Sequence, residues 1–293
     1  MSVRIITDSA CDLPEELITK YSVDVLPFLV YIDDQEYVDG YTIRPDQVYA
    51  AMRAGKVPTT AQVPIDMIIS TFTKYASQNQ PCLYISFSSK LSGTCNTARL
   101  VAQEVQEKYP TWDITVIDSL TGCLGQGLIV LEAAQMAQAG APIQEIIERV
   151  KARSKNNVEH VFSVDDLNYL YRGGRVSYAS AFLGGILNVK PILQVKDGLM
   201  IPFQKVRGKK TAIKRIAELV QERSLGHPEQ LIAISHADDP DTATELKELL
   251  ETTLGYKNFL VNVVGSVLGC HIGLGGVAAF FVNSQVQEPN LAY

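Results

Sequence analysis

Residues 86–94 are rich in hydroxyl groups and glycine, follow a short apolar run and precede a helix-compatible stretch. This order predicts a buried strand, a turn and a helix, and the first N–H groups of a helix have no partner inside it. Together with the helix dipole they favour an anionic ligand, and Gly93 lets that ligand approach the backbone closely. The alternative is that Ser88, Ser89 and Ser92 only cap the helix, which is the commonest role of serine before a helix.

Three further segments have the same order of strand, polar turn and helix. They are Thr7-Asp8-Ser9 followed by Asp12-Leu13-Pro14, the proline-bounded turn 58–64, and Asp118-Ser119 followed by Thr121, Gly122 and the stretch 125–139. In an open parallel sheet, ligands bind beyond the carboxyl ends of the strands. We therefore expect the four turns to share one crevice, and this convergence favours a ligand site over simple helix capping.

Composition excludes several classes of protein. The chain has 293 residues, of which 46% are hydrophobic and 20% charged, as in an ordinary globular protein. Its net charge of −6 gives no general attraction to nucleic acid or to anionic membranes. We expect neither a signal peptide nor an integral membrane segment, because no apolar run approaches the ~20 residues that a spanning helix needs. The five cysteines lack C-x-x-C spacing, which is typical of reduced thiols and predicts a cytoplasmic protein.

The pattern over residues 1–156 predicts an α/β domain. Short apolar strands are expected at 3–7, 24–31, 82–87 and 114–118, and helices at 13–20, 45–54, 64–77, 94–108, 125–139 and 143–154. Such alternation is typical of a parallel sheet covered on both faces, which gives a three-layer domain.

Residues 157–293 predict a second domain of the α+β class, with a mixed or antiparallel sheet and helices on one face. Strands are expected at 158–164, 190–196, 199–206, 230–235 and 259–264, and helices at 165–171, 179–187, 209–224 and 240–254. Asp197-Gly198 is a hairpin turn signal. The last predicted features of this domain are two apolar runs, at 267–272 and 277–282. We interpret the first as a strand. The domain boundary is predicted near residue 156.

Several enzyme motifs are absent from the sequence. It contains no G-x-S-x-G elbow, no G-x-x-x-x-G-K-[ST] phosphate loop and no H-E-x-x-H zinc motif. The glycines at 122, 125 and 127 have the reverse of the dinucleotide-binding spacing, so a nicotinamide cofactor is not expected. Four histidines are scattered without the spacing of metal ligands, so no metal is expected either.

His271 is the histidine that we interpret as functional. It stands in an apolar run between Gly269 and Gly273. A single histidine on an apolar strand is more often a core residue than a ligand-binding group. Here the glycines leave room for a ligand to approach the imidazole, which favours the functional interpretation.

Arg172 and Arg175 flank a Gly-Gly pair at the end of a predicted helix. They could simply stabilise the negative end of that helix. Two fixed guanidinium groups also suit a phosphate or a partner's carboxylates, because their planar forks bind oxyanions bidentately. A second basic cluster comprises Lys205, Arg207, Lys209, Lys210, Lys214 and Arg215. We interpret it as the solvent-exposed start of a helix, with docking of a partner as the alternative.

Taken in order, these segments resemble the DegV family, whose characterised members include the fatty-acid-binding subunits of bacterial fatty acid kinase. The resemblance runs nearly end to end. It is carried by Thr7-Asp8-Ser9 with Asp12-Leu13-Pro14, Thr59-Thr60-x-Gln62, Ser88-Ser89-x-Leu91-Ser92-Gly93-Thr94, Asp118-Ser119, Asp166-Leu167-x-Tyr169-Leu170-x-x-Gly173-Gly174-Arg175, Lys190-Pro191-Ile192-Leu193 and His271-x-Gly273-x-Gly275. Two positions depart from the family pattern: Ala61 stands where a serine is usual, and Leu274 where a proline is common.

The resemblance implies a fatty acid with its carboxylate between the two domains and its tail in the second. The positions that match carboxylate contacts are Thr60, Ser92 and His271, with supporting loop residues Ser9, Thr59, Gln62, Ser89, Gly93, Thr94 and Ser119. For the acyl tail we expect Phe162, Phe182, Leu183, Ile186, Leu187 and Phe280, each of which could equally be ordinary core. No cofactor is expected besides the bound fatty acid.

The family also implies a partner. The chain would present the carboxylate to an ATP-dependent kinase catalytic subunit that forms acyl-phosphate, with Arg172, Arg175 and Arg207 meeting the partner or the phosphate. Since the sequence has no phosphate loop, it would be a lipid carrier and not an enzyme. The alternative is a hydrolase acting on small acyl esters, with Ser92 as nucleophile, His271 as base, and Asp8 or Asp118 as the group that orients the histidine.

Overall fold

The computed structural model describes residues 3–155, 157–176, 188–224 and 229–283. Within these ranges, the strands are β1 (Arg4–Asp8), β2 (Asp24–Leu26), β3 (Leu29–Ile32), β4 (Gln35–Val38), β5 (Thr59–Ala61), β6 (Cys82–Ser86), β7 (Ile114–Asp118), β8 (Val158–Ser163), β9 (Val189–Lys196), β10 (Leu199–Arg207), β11 (Leu231–His236), β12 (Asn258–Val263) and β13 (Val277–Val282). The helices are α1 (Glu15–Lys20), α2 (Pro45–Arg53), α3 (Ile65–Ser77), α4 (Thr94–Lys108), α5 (Cys123–Gln138), α6 (Ile143–Ser154), α7 (Asn168–Arg172), α8 (Lys209–Arg223), α9 (Pro240–Leu254) and α10 (Ser266–Ile272).

The first large sheet is parallel, as predicted. Its strand order is β2-β1-β6-β7, and every pairing within it is parallel. The chain therefore moves to one side of β1 to form β2 and to the other side to form β6 and β7. Crevices for ligands open where the strand order reverses in this way, beyond the carboxyl ends of the strands. In this sheet that point lies between β1 and β6, directly before the hydroxyl-rich turn 86–94.

Helix α5 forms the layer between the two large sheets. It packs on β1 and β6 of the parallel sheet and on β8, β11 and β13 of the other sheet. All of its residues from Leu124 to Leu131 are buried, which is typical of a helix that is apolar on every side. Its one buried amide, Gln126, donates to Thr7 Oγ1 at 3.0 Å and to Asp8 Oδ1 at 3.1 Å.

A small antiparallel sheet, in the order β4-β3-β5, corrects two predictions. The strand predicted at 24–31 is two strands that belong to different sheets, and Pro27 lies between them. Proline cannot donate a ladder hydrogen bond, so a strand rarely continues through it. The turn predicted at 58–64 contains the strand β5, in which Thr60 pairs with Val30.

The second large sheet is mixed, in the order β10-β9-β8-β13-β11-β12, and only β11 and β12 pair in parallel. Helices α8 and α9 pack on it around a second hydrophobic cluster. Residues 267–272, predicted as a strand, belong to the helix α10. Short apolar runs do not distinguish a strand from a buried helix. Gly269 lets this helix pack closely on α2, because a Cβ there would come within 2.8 Å of the Tyr49 hydroxyl oxygen.

The parallel sheet precedes residue 156 and the mixed sheet follows it, as predicted for the two classes of sheet. The boundary itself stays a prediction. The helix predicted at 179–187 lies outside the described residues. No helix in the described part of the chain is both long and apolar enough to cross a membrane.

Candidate functional site

A polar cavity of about 220 Å³ lies where four parts of the chain meet. These parts are strand β5, the turn after β6, helix α10 and the glycine-rich turn after α7. The lining residues are Phe28, Thr60, Ala61, Gln62, Phe87, Leu91, Ser92, Gly93, Arg175, Met200, Val267, Leu268 and His271. The structure thus brings together the three residues predicted to contact a carboxylate.

Thr60 and His271 contact each other in the lining of this polar cavity. The Thr60 Oγ1 and His271 Nε2 atoms lie 2.8 Å apart, within hydrogen-bond distance. Burial, with a smaller effect of the nearby Arg175 charge, lowers the pKa of His271 to about 4. The imidazole is therefore neutral near pH 7, when one ring nitrogen donates and the other accepts.

Two glycines allow α7 and the end of α10 to pack closely beside His271. A Cβ on Gly173 would come within 2.3 Å of His271 Nδ1, so only a glycine lets the end of α7 approach the ring this closely. Gly273 ends α10 with a φ of +81°, and a Cβ there would meet the Tyr169 ring at 2.4 Å. The Gly-Gly turn after α7 and the segment around His271, recognised separately in the sequence, therefore pack against each other.

The Ser92 turn is held by its own hydroxyl groups. Ser92 Oγ lies 3.0 Å from Thr94 Oγ1 and accepts a hydrogen bond from the Thr94 N–H at 3.2 Å. Ser88 Oγ donates to the Gly198 carbonyl at 2.8 Å, which attaches this turn to the tip of the β9–β10 hairpin. Ser88 and Ser92 therefore both stabilise this turn, and Ser92 also lines the polar cavity.

Arg175 supplies a positive charge to the polar cavity. Its Nε donates to the Leu91 carbonyl at 3.3 Å and its Nη1 to the Gly173 carbonyl at 2.5 Å. The other two predicted arginines lie elsewhere. Arg172 is exposed, with its guanidinium 4.8 Å from the centre of the Tyr169 ring, and Arg207 is exposed at the end of β10. Of the three predicted arginines, Arg175 lines the polar cavity, and the role of all three toward a partner stays a prediction.

An apolar chamber adjoins the polar cavity. Its volume is about 50 Å³, and it is lined by Phe87, Leu91, Gly122, Cys123, His160, Phe162, Ser163, Val195, Met200, Val264, Leu268, Ile272, Gly276, Val277, Ala278 and Phe280. Two of the residues predicted to line the acyl tail, Phe162 and Phe280, are among them. The other four, Phe182, Leu183, Ile186 and Leu187, lie outside the described residues.

The chamber and the polar cavity share four lining residues, Phe87, Leu91, Met200 and Leu268. Sequence reasoning did not single out these four as site residues. Leu91 lies inside the hydroxyl-rich turn 86–94, so the polar residues beside it could have indicated that it belongs to the site. Met200 gave no such signal, because its position depends on tertiary contacts of the β9–β10 hairpin, with Ser88 and with Val176.

The predicted supporting residues divide into two groups. Gln62 and Gly93 line the polar cavity, and the buried Thr94 holds Ser92. The remaining four do not line it. Ser9 accepts a hydrogen bond from the Phe28 N–H at 3.1 Å and lines a different cavity, and Thr59 is exposed. The Ser89 N–H donates to Asp118 Oδ1 at 3.1 Å, and the Ser119 hydroxyl donates to the Thr121 carbonyl within its own turn. The expectation of one crevice for all four turns was too broad.

Asp8 is a buried structural group. Burial raises the pKa of Asp8 to about 6, against hydrogen bonds from the Phe87 N–H at 2.8 Å and from Gln126. Asp118 accepts from the N–H groups of Ser89 and Leu120. Neither carboxylate is bonded to His271, whose side-chain partner in the described structure is Thr60. The described residues therefore do not form the Ser-His-Asp arrangement of the hydrolase alternative.

Comparison with known proteins identifies the family of this chain. A family model described as "Uncharacterised protein, DegV family" matches residues 2–284. The chain belongs to the DegV family. A DegV domain-containing protein of Clostridium perfringens is 38% identical to it over 288 residues, which are 97% of this chain and 98% of that protein.

Solved structures of DegV proteins share the fold. A DegV family protein from Thermus thermophilus, described by its fatty acid binding, superposes with a TM-score of 0.88 at 30% identity, covering 97% of this chain and 100% of that one. DegV from Bacillus subtilis, described as a fatty acid binding protein, gives a TM-score of 0.85 at 29% identity, with 97% and 100% covered. Fatty acids are thus the ligands of structurally characterised DegV relatives.

The two departures from the DegV pattern lie in different surroundings. Ala61 lines the polar cavity, where its methyl group cannot form the hydrogen bond that a serine would offer. Leu274 is partly buried against the main hydrophobic core. In the described residues of this DegV chain, no group of three or more His, Cys, Asp or Glu side chains is arranged to hold a metal ion.

Proposed function

We propose that this DegV chain binds a long-chain fatty acid, with the carboxylate at Thr60, Ser92 and His271 and the acyl tail in the apolar chamber. The observation that carries the proposal is that the two spaces adjoin and share four lining residues. One molecule with a polar end and an apolar body fits such a site. The fatty acid binding described for two DegV relatives supports it.

The head-group chemistry suits a carboxylate. The Thr60 and Ser92 hydroxyl groups and the neutral His271 imidazole offer hydrogen-bond donors, and Arg175 offers a full positive charge at the same cavity. Hydrogen bonds to an ionised acceptor are stronger than neutral ones. Because Arg175 carries the charge, His271 need not be protonated to bind the anion.

The tail sets the affinity in this proposal. Burying a palmitoyl chain is worth roughly 11–12 kcal/mol before association costs, at about 0.8 kcal/mol for each methylene group. Each hydrogen bond to the charged carboxylate contributes about 1.5–3 kcal/mol. The hydroxyl groups and His271 therefore mainly orient the acid and select a carboxylate over other head groups.

We further propose that the bound acid is the substrate of a separate kinase subunit. The chain would act as a cytoplasmic carrier that presents the carboxylate to an ATP-dependent catalytic subunit, which forms acyl-phosphate. The absence of a phosphate-loop motif from the sequence supports a carrier role. Arg172 and Arg207, both exposed, are then available to contact the partner, while Arg175 lies at the carboxylate end of the site.

The direct test is mass spectrometry of an organic extract of the purified protein. We expect long-chain fatty acids near one per chain, in line with the fatty acid binding described for two DegV relatives. The same measurement on Thr60→Ala should show less bound acid. Its matched control is Thr59→Ala, which removes the neighbouring exposed hydroxyl. Protein that carries no lipid and has no measurable affinity for any long-chain acid would refute the proposal.

A further inference from the structure

The residues that line both the polar cavity and the apolar chamber form what we call the shared wall. They are Phe87, Leu91, Met200 and Leu268, and all four are buried. Three of these side chains are hydrocarbon, and the Met200 sulfur is only a weak hydrogen-bond acceptor. A fatty acid that occupies both spaces has to pass this wall just after its carboxylate.

The backbone of the shared wall is engaged in hydrogen bonds of the protein itself. The Phe87 N–H donates to Asp8 Oδ2 at 2.8 Å, and the Leu91 N–H donates to the Ser88 carbonyl at 3.0 Å. The Leu91 carbonyl accepts a hydrogen bond from Arg175 Nε at 3.3 Å. A polar ligand group that stops at this wall therefore exchanges its water molecules for apolar side chains.

Met200 is the adaptable member of the shared wall. The Phe87 ring, in contrast, packs edge-on against Phe28, with 6.1 Å between the ring centres, and a Cβ on Gly122 would come within 2.2 Å of it. Met200 lies opposite Val195 in the β9–β10 hairpin, and its unbranched side chain adjusts to irregular space. A substitution of similar length at Met200 can therefore change the polarity of the wall while the hairpin backbone stays paired.

We propose that the shared wall contacts the first methylene groups after the carboxylate and selects acids that are unsubstituted there over acids that carry a hydroxyl there, with Met200 as a specificity-determining residue. The inference rests on the proposed function and narrows its ligand class. A hydroxyl group at such a carbon loses its hydrogen bonds to water and gains none from the wall, which is unfavourable. A methylene group at the same carbon loses nothing and gains apolar contact.

The experiment measures the affinities of the lipid-free full-length protein for stearic acid and for stearic acids hydroxylated at the third, fourth or fifth carbon. The most weakly bound of the three should bind the wild type at least about tenfold more weakly than stearic acid. Met200→Gln keeps the length of the side chain and adds an amide that donates and accepts. It should reduce this affinity ratio by about fivefold or more. The matched control Met200→Leu keeps the wall apolar and should leave the ratio unchanged.

A methyl branch at the same carbon separates polarity from size. The affinity of the methyl-branched acid relative to stearic acid should not improve in Met200→Gln, because an amide offers a methyl group no hydrogen bond. The wild-type series tests the inference without any variant: three hydroxy acids that bind as tightly as stearic acid would overturn it. An unchanged ratio in Met200→Gln, or an equal gain for the methyl-branched acid, would overturn it as well. A wild type that binds no stearic acid would instead refute the proposed function.

Discussion

His271 Nε2 on α10 lies 2.8 Å from Thr60 Oγ1 on β5, although 211 positions separate the two residues in the chain. This contact joins the small antiparallel sheet to a helix that follows β12 of the mixed sheet. It places a neutral imidazole and a hydroxyl side by side at a polar cavity that also holds Arg175. The predictions below begin from this pair.

The first prediction concerns the head group. Thr60→Ala should weaken the binding of a long-chain acid by about 1–3 kcal/mol, because it removes a hydrogen bond from the cavity. The corresponding fatty alcohol should be affected less, since its head group is uncharged. Calorimetric titration of both ligands measures the difference, with Thr59→Ala as the control on the same strand. Equal losses for acid and alcohol would show that Thr60 does not contact a carboxylate.

Gly173→Ala tests whether the Gly-Gly turn seats the histidine. Gly173 has a φ of −70°, so alanine fits the backbone, but its Cβ would come within 2.3 Å of His271 Nδ1. We expect an affinity loss of about 1–3 kcal/mol for the acid, similar to that of His271→Ala. In the double variant the two losses should not add, because both act on one ring. Fully additive losses would place the effect of Gly173 elsewhere.

A change in the chamber should depend on chain length. Val195 lines the apolar chamber and is half-buried, so Val195→Phe should fill part of the space for the tail. We expect stearic acid to lose about 0.8 kcal/mol for each methylene group that is displaced, and decanoic acid to lose less. Val261→Phe, at an exposed position of β12, is the control. An identical effect on both acids would mean that the tail does not pass Val195.

The buried Asp12 should make stability depend on pH. Burial raises the pKa of Asp12 from 3.8 to about 8, so the folded chain keeps a proton that the unfolded chain releases. Where the folded state binds more protons, stability falls as pH rises, here between about pH 4 and pH 8. Urea unfolding across this range should give a flatter profile for Asp12→Asn than for the wild type. The exposed Asp34→Asn is the control, and parallel wild-type and Asp12→Asn profiles would contradict the prediction.

The arginines should separate ligand binding from partner contact. Arg175→Ala should weaken acid binding by about 1.5–3 kcal/mol, because it removes a charge at the polar cavity. The double variant Arg172→Ala/Arg207→Ala should keep acid affinity and melting temperature but lower acyl-phosphate formation at least about tenfold, if these residues meet the kinase subunit. The assay pairs lipid binding with turnover of the reconstituted kinase. Wild-type turnover in the double variant would remove Arg172 and Arg207 from the partner site.

Local sequence signals were sufficient for most elements of the fold. Helices such as α3, α4 and α6 begin and end within two residues of their predicted limits, because caps, prolines and apolar spacing act over one or two turns. The same signals failed at residues 24–31 and 267–272. A short apolar run is compatible with either a strand or a helix, and its state is decided by its neighbours in space.

The residue types of the site were present in the sequence: hydroxyl groups at 60 and 92, an imidazole at 271 and guanidinium groups around a Gly-Gly pair. Only the tertiary structure decided which of them meet. It brought Arg175 to the polar cavity and left Arg172 and Arg207 on the surface, and it carried Met200 to the join between cavity and chamber. Such contacts depend on long-range packing, because each side chain takes the position that the close-packed interior of the whole fold allows. The spacing of residues along the chain does not determine the distances between residues that meet only in the folded structure.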